Sequence, residues 1–367
     1  MARQVPIGVG LIGCGMIGQI HADGLAKLAG DGLVRPVAAA DPSETARQAV
    51  AHNCEFERFT SDSQSVIDDH EVGAVMITAP TAAHAGLVEA VLAAGKPLFC
   101  EKPLAPQFET VAGLCHAVSA SGVVAQVGFH SRFHPLMRQL HRWTASGELG
   151  RPMGYTLRDD QYWPTGEIVP GHSSWRSRRE QSGGGALIEH SIHSADILSW
   201  VFGPAVRVFA FTRSLFGFDV EDTAVVTVEH ASGVVGTLIT VFNGVRGREE
   251  RRLEVFFEQA AVEITTDFLV GADEDSLLLQ RSDESPQRPD LAGLREQLLQ
   301  ELDVSRRDFV FYQYLGDRAW LQAVAAGDAA SPGFGDALAA HALVEAAYRA
   351  AATGQPVETA SLPGYAG

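Results

Sequence analysis

Ile7-Gly-Val-Gly-Leu-Ile-Gly13-Cys-Gly15-Met16-Ile17-Gly18 constrains this chain more than any other stretch. A short apolar run turns through G-x-G-x-x-G into a segment where Ile17, Ile20, Leu25 and Leu28 recur near helical spacing. Gly13 permits the tight strand-to-helix turn, Gly15 lets the backbone approach a pyrophosphate, and Gly18 lets helix and strand pack closely. The helix start then offers unpaired N–H groups to the phosphates. A second strand at 37–40 ends in Asp41. An acid there accepts hydrogen bonds from ribose hydroxyls and repels a 2′-phosphate, which predicts NAD in preference to NADP. Asp41 also reads as a cap before Pro42-Ser43-Glu44, and the two uses are compatible.

Residues 74–80 form another buried-strand run, followed by a helix at 85–94 that Gly95 closes. Short strands at 97–100 and 123–128 continue the alternation. Strands alternating with helices predict a parallel, doubly wound Rossmann sheet with ligands at the strands' carboxyl ends. Lys102, in Glu101-Lys102-Pro103, sits at such an end.

A second polar constellation lies at 183–203. Three glycines open it, Gly203-Pro204 closes it, and no breaker interrupts it, so it reads as a helix. At about 100° per residue Glu189, His193, Asp196 and Trp200 share one face, an acid/base arrangement unless it is merely a solvated stripe. From about residue 151 the alternation gives way to successive strands, at 153–161, 206–215, 223–230, 234–242, 252–258 and 261–266. These predict an α+β domain with an open sheet, one face covered by the 183–203 helix. Val225, Leu238, Val241 and Phe256 are assigned to the other face, a candidate oligomer surface. Tyr162, Trp175 and Arg176 lie in a long polar, aromatic loop suited to stacking on a sugar ring. Residues 283–290 read as a mobile excursion, and 291–302 as a short helix.

At 367 residues the chain exceeds one ordinary core, so domains at 1–128 and 129–367 are expected. A net charge of −17, with the acids scattered, argues against nucleic acid or anionic membrane as partner. Neither a signal peptide nor a span of some 18 apolar residues is seen. Cys14, Cys54, Cys100 and Cys115 lack C-x-x-C spacing and read as reduced thiols in a cytoplasmic protein.

Together these residues resemble the Gfo/Idh/MocA oxidoreductases, of inositol-dehydrogenase and glucose–fructose-oxidoreductase type. The matches are Gly13-Cys-Gly15-Met16-Ile17-Gly18, Asp41-Pro42, Ala79-Pro80-Thr-Ala-Ala-His84, Ala94-Gly95-Lys96-Pro97, Glu101-Lys102-Pro103, Gly128-Phe-His130-Ser-Arg132-Phe and Gly183 through Asp196. Gly335-Asp336 and residues 344–358 resemble the family's closing helix and return strand, so the likeness covers nearly the whole chain. It implies a Rossmann domain and a C-terminal α+β domain with an open, largely antiparallel sheet, whose open face predicts a homodimer or homotetramer. It also implies hydride transfer between NAD(P) and a hydroxyl-bearing carbon of a sugar, cyclitol or related polyol.

By position, Lys102 matches the lysine that contacts the reacting hydroxyl, and His193 the catalytic histidine. Glu189 matches an acid that is more often aspartate, and it either orients His193 or binds substrate. The Lys102–Pro103 bond is a candidate cis peptide. Gly13, Gly15, Met16, Ile17, Gly18, Asp41, Ala79, Pro80, His84, Glu101 and Lys102 are the cofactor candidates. His130, Arg132, Tyr162, Trp175, Arg176 and His190 are the substrate candidates, and His190 departs from the family pattern. No metal is expected. A cofactor-binding sensor without turnover is the alternative; a metal hydrolase using Glu189, His190, His193 and Asp196 would leave the Rossmann half without purpose.

Overall fold

The computed structural model describes residues 6–163, 174–246, 249–266 and 275–365. In chain order they form β1 (Ile7–Ile12), α1 (Met16–Gly30), β2 (Val34–Ala40), α2 (Glu44–Asn53), β3 (Arg58–Thr60), α3 (Ser63–Ile67), β4 (Ala74–Ile77), α4 (Thr81–Ala93), β5 (Leu98–Cys100), α5 (Phe108–Ser121) and β6 (Ala125–Val127). Then come α6 (Pro135–Ser146), β7 (Pro152–Tyr162), α7 (Arg179–Ser182), α8 (Ile192–Phe202), β8 (Ala205–Arg213), β9 (Thr223–His230), β10 (Val235–Asn243), β11 (Glu250–Phe257), β12 (Ala260–Thr266) and β13 (Ser276–Arg281). The chain closes with α9 (Leu291–Glu301), α10 (Gln313–Ala326), α11 (Phe334–Thr353) and β14 (Val357–Glu358). Two compact units emerge, one of Met1–Ala105, Thr110–His130 and Phe311–Gly335, the other of Pro106–Glu109, Ser131–Val310 and Asp336–Gly367.

In the first unit six parallel strands run β3-β2-β1-β4-β5-β6, the doubly wound order whose direction reverses between β1 and β4. Both faces are covered, so the strands read as continuous apolar runs; β4 is buried at all four positions. The sequence pattern predicts five of these strands but not β3, which is three residues long, nor α2, α3 and α5. It also missed α10. That helix joins this unit because Gln126 donates to the Gly316 carbonyl at 2.9 Å and Asp317 meets His21 on α1.

The second unit holds a mixed sheet ordered β13-β12-β11-β7-β10-β9-β8-β14. Its central β7–β10 pair is parallel and every other pair antiparallel. The expected excursion at 283–290 folds back on β13, where Leu279 and Gln287 exchange backbone hydrogen bonds of 2.9 and 2.8 Å. Leu238 must be reassigned. It is fully buried, opposite Val226 on the covered face, while Val225, Ile239 and Phe256 are exposed on the other. Side chains alternate along a strand, so residues 238 and 241 cannot share a face. Among the described residues no helix is long and apolar enough to cross a membrane.

This assignment predicts that Leu238→Ala loses about 2–5 kcal/mol of stability in denaturant unfolding. Thr227→Ala, on the open face, should stay within about 0.5 kcal/mol.

Candidate functional site

In the first unit, Gly13 has φ +102°, and a Cβ there would lie 2.5 Å from the Ala79 nitrogen. A Cβ on Gly18 would lie 2.2 Å from the Gly13 carbonyl oxygen, so both glycines are required by the backbone itself. A Cβ on Gly15 would meet no protein atom within 4 Å. That open approach, at the start of α1, fits a diphosphate drawn to the helix's free N–H groups. Met16 is half exposed beside it, with Ile17 behind. Asp41 accepts from the Cys14 and Ser43 backbone N–H groups, each at 2.8 Å, which braces its carboxylate at the end of β2. Ser43 is the residue that caps α2, accepting from the Ala46 N–H. Gly13, Gly15, Gly18 and Asp41 would thus hold a dinucleotide with free ribose hydroxyls.

The turns after β4 and β5 are tied together through His84. One ring nitrogen lies 2.8 Å from the Pro103 carbonyl oxygen and the other 2.8 Å from that of Ala79, beside Pro80. The Lys102–Pro103 bond is cis, as expected. Glu101 is buried, and its Oε2 accepts from the Lys102 N–H at 3.1 Å. His130, at the end of this unit, meets the Gln313 amide at 3.4 Å.

In the second unit, 183–203 is not one uniform helix. Ala186–His190 forms a π turn, in which the Ser191 N–H donates to Ala186, and α8 begins only at Ile192. A π turn widens the helix locally, so the spacing that aligned Glu189 with His193 does not hold across it. The glycine run is a consequence of close packing. A Cβ on Gly184 would lie 2.2 Å from the Tyr348 hydroxyl, and one on Gly185 1.8 Å from the Glu221 carbonyl oxygen. The buried Glu221 carboxylate accepts from the Gly185 and Leu187 N–H groups at 2.9 and 3.0 Å and from the Tyr348 hydroxyl at 2.7 Å. It serves as an anionic cap for the segment.

At the other end stands Asp159 on β7, fully buried. It accepts from His190 Nε2 at 2.8 Å and from the Ser191, Ser194 and Arg251 side chains. Burial alone would raise this carboxyl, but Arg251 and His190 overcome that and hold it well below the usual range. His190, a substrate candidate, has its Nε2 on Asp159. Arg132 is likewise committed: its Nε and Nη2 donate to the two Asp196 oxygens at 2.8 and 2.6 Å, and Nη1 faces Asp336 at 3.1 Å. Trp200 stacks on His141, so Asp196 and Trp200 are packing members of their helix face.

Glu189 and His193 are both buried. Glu189 Oε2 accepts from Arg176 Nε at 3.1 Å, and the Arg176 guanidinium lies 4.6 Å over the Trp175 ring. Tyr162 ends β7. The loop stretch 164–173 between Trp163 and Ser174 lies outside the described residues. Among the described residues no group of three or more His, Cys, Asp or Glu side chains is placed to hold a metal ion. Glu221, Asp159, Arg251 and Asp317 went unrecognised in the sequence, where nothing local marks them.

A doubly wound sheet with an NAD-type glycine turn, joined to an α+β unit carrying a buried acid and histidine, defines a two-domain dinucleotide-dependent oxidoreductase. Residues 7–129 match the model of an oxidoreductase family with an NAD-binding Rossmann fold, and residues 137–263 match the Gfo/Idh/MocA C-terminal domain; the chain belongs to the Gfo/Idh/MocA family of NAD-binding oxidoreductases. It is 28% identical over 364 residues to an inositol 2-dehydrogenase of Saccharopolyspora erythraea, spanning 97% of this chain and 96% of that one. It is 31% identical to an NAD(+) scyllo-inositol 2-dehydrogenase of Bacillus subtilis, over 64% of this chain and 67% of that protein. In fold it is similar to a levoglucosan dehydrogenase solved with NADH and levoglucosan, at TM-score 0.84 and 23% identity, covering 96% of this chain and 99% of that one.

The anchoring carboxylate yields a stability prediction. The pKa of Asp159 is depressed on folding, so its contribution is complete above the unfolded value near pH 4 and fades as pH falls below it. Asp159→Asn should flatten the acid limb of a stability-versus-pH curve. Asp159→Ala, which leaves Arg251 buried without this partner, should cost about 3–5 kcal/mol in urea unfolding at pH 7.

Proposed function

We propose that this protein is an NAD-dependent dehydrogenase that oxidises a CH–OH group of a sugar, cyclitol or related polyol. One observation carries the reading: an NAD-type end, with Gly13, Gly15, Gly18 and Asp41, shares a chain with both Lys102 and His193. The names of the inositol and sugar dehydrogenases it resembles support the substrate class. Bound NAD supplies the hydride acceptor. His193 accepts the hydroxyl proton, a role suited to an imidazole whose reference pKa of about 6.5 lies near working pH. Lys102 donates a hydrogen bond to the same oxygen and stabilises its developing negative charge. Glu189, paired with Arg176, presents a neutralised acid that positions the substrate's hydroxyls, and Tyr162 and Trp175 offer stacking surface. A non-catalytic sensor would need the cofactor end but neither Lys102 nor His193.

The open face of the second sheet carries Phe211, Val225, Ile239 and Phe256, each more than a third exposed, which supports a homodimer or homotetramer built on that face. Four free, buried cysteines support a reducing, cytoplasmic setting.

Lys102→Ala and His193→Ala should each lower turnover about 10²–10⁴-fold, read as NADH absorbance on a panel of cyclitols and sugars. NADH affinity should survive both. Cofactor binding without turnover by the parent on the whole panel would favour the sensor. Ile239→Asp should convert the assembly to monomer in light scattering; an unchanged mass would remove that face as the interface.

A further inference from the structure

A trio of ionisable groups in the first unit, His21, Glu101 and Asp317, has no part in the proton transfer described above. His21 on α1 directs Nδ1 at both oxygens of Asp317, at 2.8 and 2.9 Å, and Nε2 at Glu101 Oε1, at 3.3 Å. The three side chains are 1%, 0% and 5% exposed. The remaining Glu101 oxygen accepts the Lys102 N–H, so the contacts run from α10 through α1 to the backbone of the lysine. Space is cleared for them. A Cβ on Gly128 would fall 2.1 Å from Glu101 Oε1, and one on Gly24 3.0 Å from Asp317 Oδ2. The Phe99 ring meets the imidazole edge at 5.1 Å.

Apolar side chains of similar volume would hold these elements at lower desolvation cost. What apolar packing could not do is fix the direction of a carboxylate. We propose that Asp317, His21 and Glu101 form a buried relay that orients the Glu101–Lys102 turn, which makes His21 and Asp317 positioning residues for the hydride transfer. The assignment rests on the function proposed above.

Two ionised carboxylates facing one imidazole need a donor on each ring nitrogen, and only the imidazolium has two; burial pushes Asp317 up, and His21 opposes that rise. Burial alone would strip the proton, but the Asp317 and Glu101 carboxylates outweigh it and raise His21 to about 10. Lys102 and His130 add positive charge near Glu101. If the proton leaves, one carboxylate loses its donor. The shorter bonds go to Asp317, so Glu101 is the one released. The contribution of His21 is thus complete below its unfolded value near 6.5 and is lost as pH rises through about 10, where the imidazolium gives up its proton.

The test uses the full chain. Histidine ¹⁵N spectra should show His21 as imidazolium at pH 8, and Asp317→Asn should lower its titration midpoint by about 1–3 units. A neutral ring at pH 8 in the parent overturns the relay. With lysines ¹³C-dimethylated and the Lys102 signal identified by its loss in Lys102→Ala, Asp317→Asn should shift that signal at pH 9; an unmoved signal also overturns it. Neither readout needs turnover, so they stand if no polyol is oxidised and the proposed function fails.

Where turnover is found, His21→Gln should lower kcat roughly 10²-fold, the scale of a small misplacement, with KM and NADH affinity within about threefold. In a Lys102→Ala background the same change should have little further effect. An equal loss in both backgrounds would mean that the role is merely structural. Should His21→Gln fail to fold, Asp317→Asn carries the kinetic test, since its kcat should fall at lower alkaline pH than the parent's.

Discussion

Two buried carboxylates, Glu221 and Asp159, set the position of the segment that carries Glu189 and His193. A buried carboxylate without donors is costly, and here much of the donor set comes from residues 185–194: two backbone N–H groups for Glu221, two hydroxyls and an imidazole for Asp159. A shift of the segment by one residue would leave several of these groups unsatisfied at once. The glycine run follows from the same contact, because the Glu221 backbone and the Tyr348 hydroxyl occupy the volume where Cβ atoms would stand.

Such networks give direction more than stability. Apolar replacements for Asp159, His190 and Arg251 would avoid desolvation, yet they would permit small slides that a hydrogen-bonded network forbids. The first unit shows the same kind of contact at the Glu101 turn, where the carboxylate meets an imidazole and lies in the space left by Gly128. In both units a buried carboxylate is met from a distant part of the chain: Glu101 by His21, Asp159 by Arg251.

That distance explains what could be read in the sequence. The glycine turn, Asp41 and the parallel strands are local patterns; the packing that makes Gly18 necessary lies within the β1 turn, though Gly13 is held by residues 78 and 79. Asp317 meets His21 across 296 positions, and Glu221 meets Gly185 across 36, with no periodicity to announce either contact. Helix α10 escaped because its first turns are buried nearly all round and so show no single apolar face. Leu238 was misplaced by grouping it with residue 241, a spacing that suits a helix face better than a strand.

The π turn is the subtler case. A reading at 100° per residue assumes α geometry throughout, and it placed Glu189 one turn above His193 as a natural acid–base pair. The wider turn instead leaves Glu189 beside Arg176, while His193 opens the first turn of α8. A carboxylate bonded to a guanidinium does not present an unopposed charge to its surroundings. A group near Glu189 would feel the field of a pair, which supports the proposed role of hydrogen bonding to hydroxyls over proton abstraction. That pairing leaves the proposed base role with the histidine, and the longer glutamate side chain reads as reach toward its arginine.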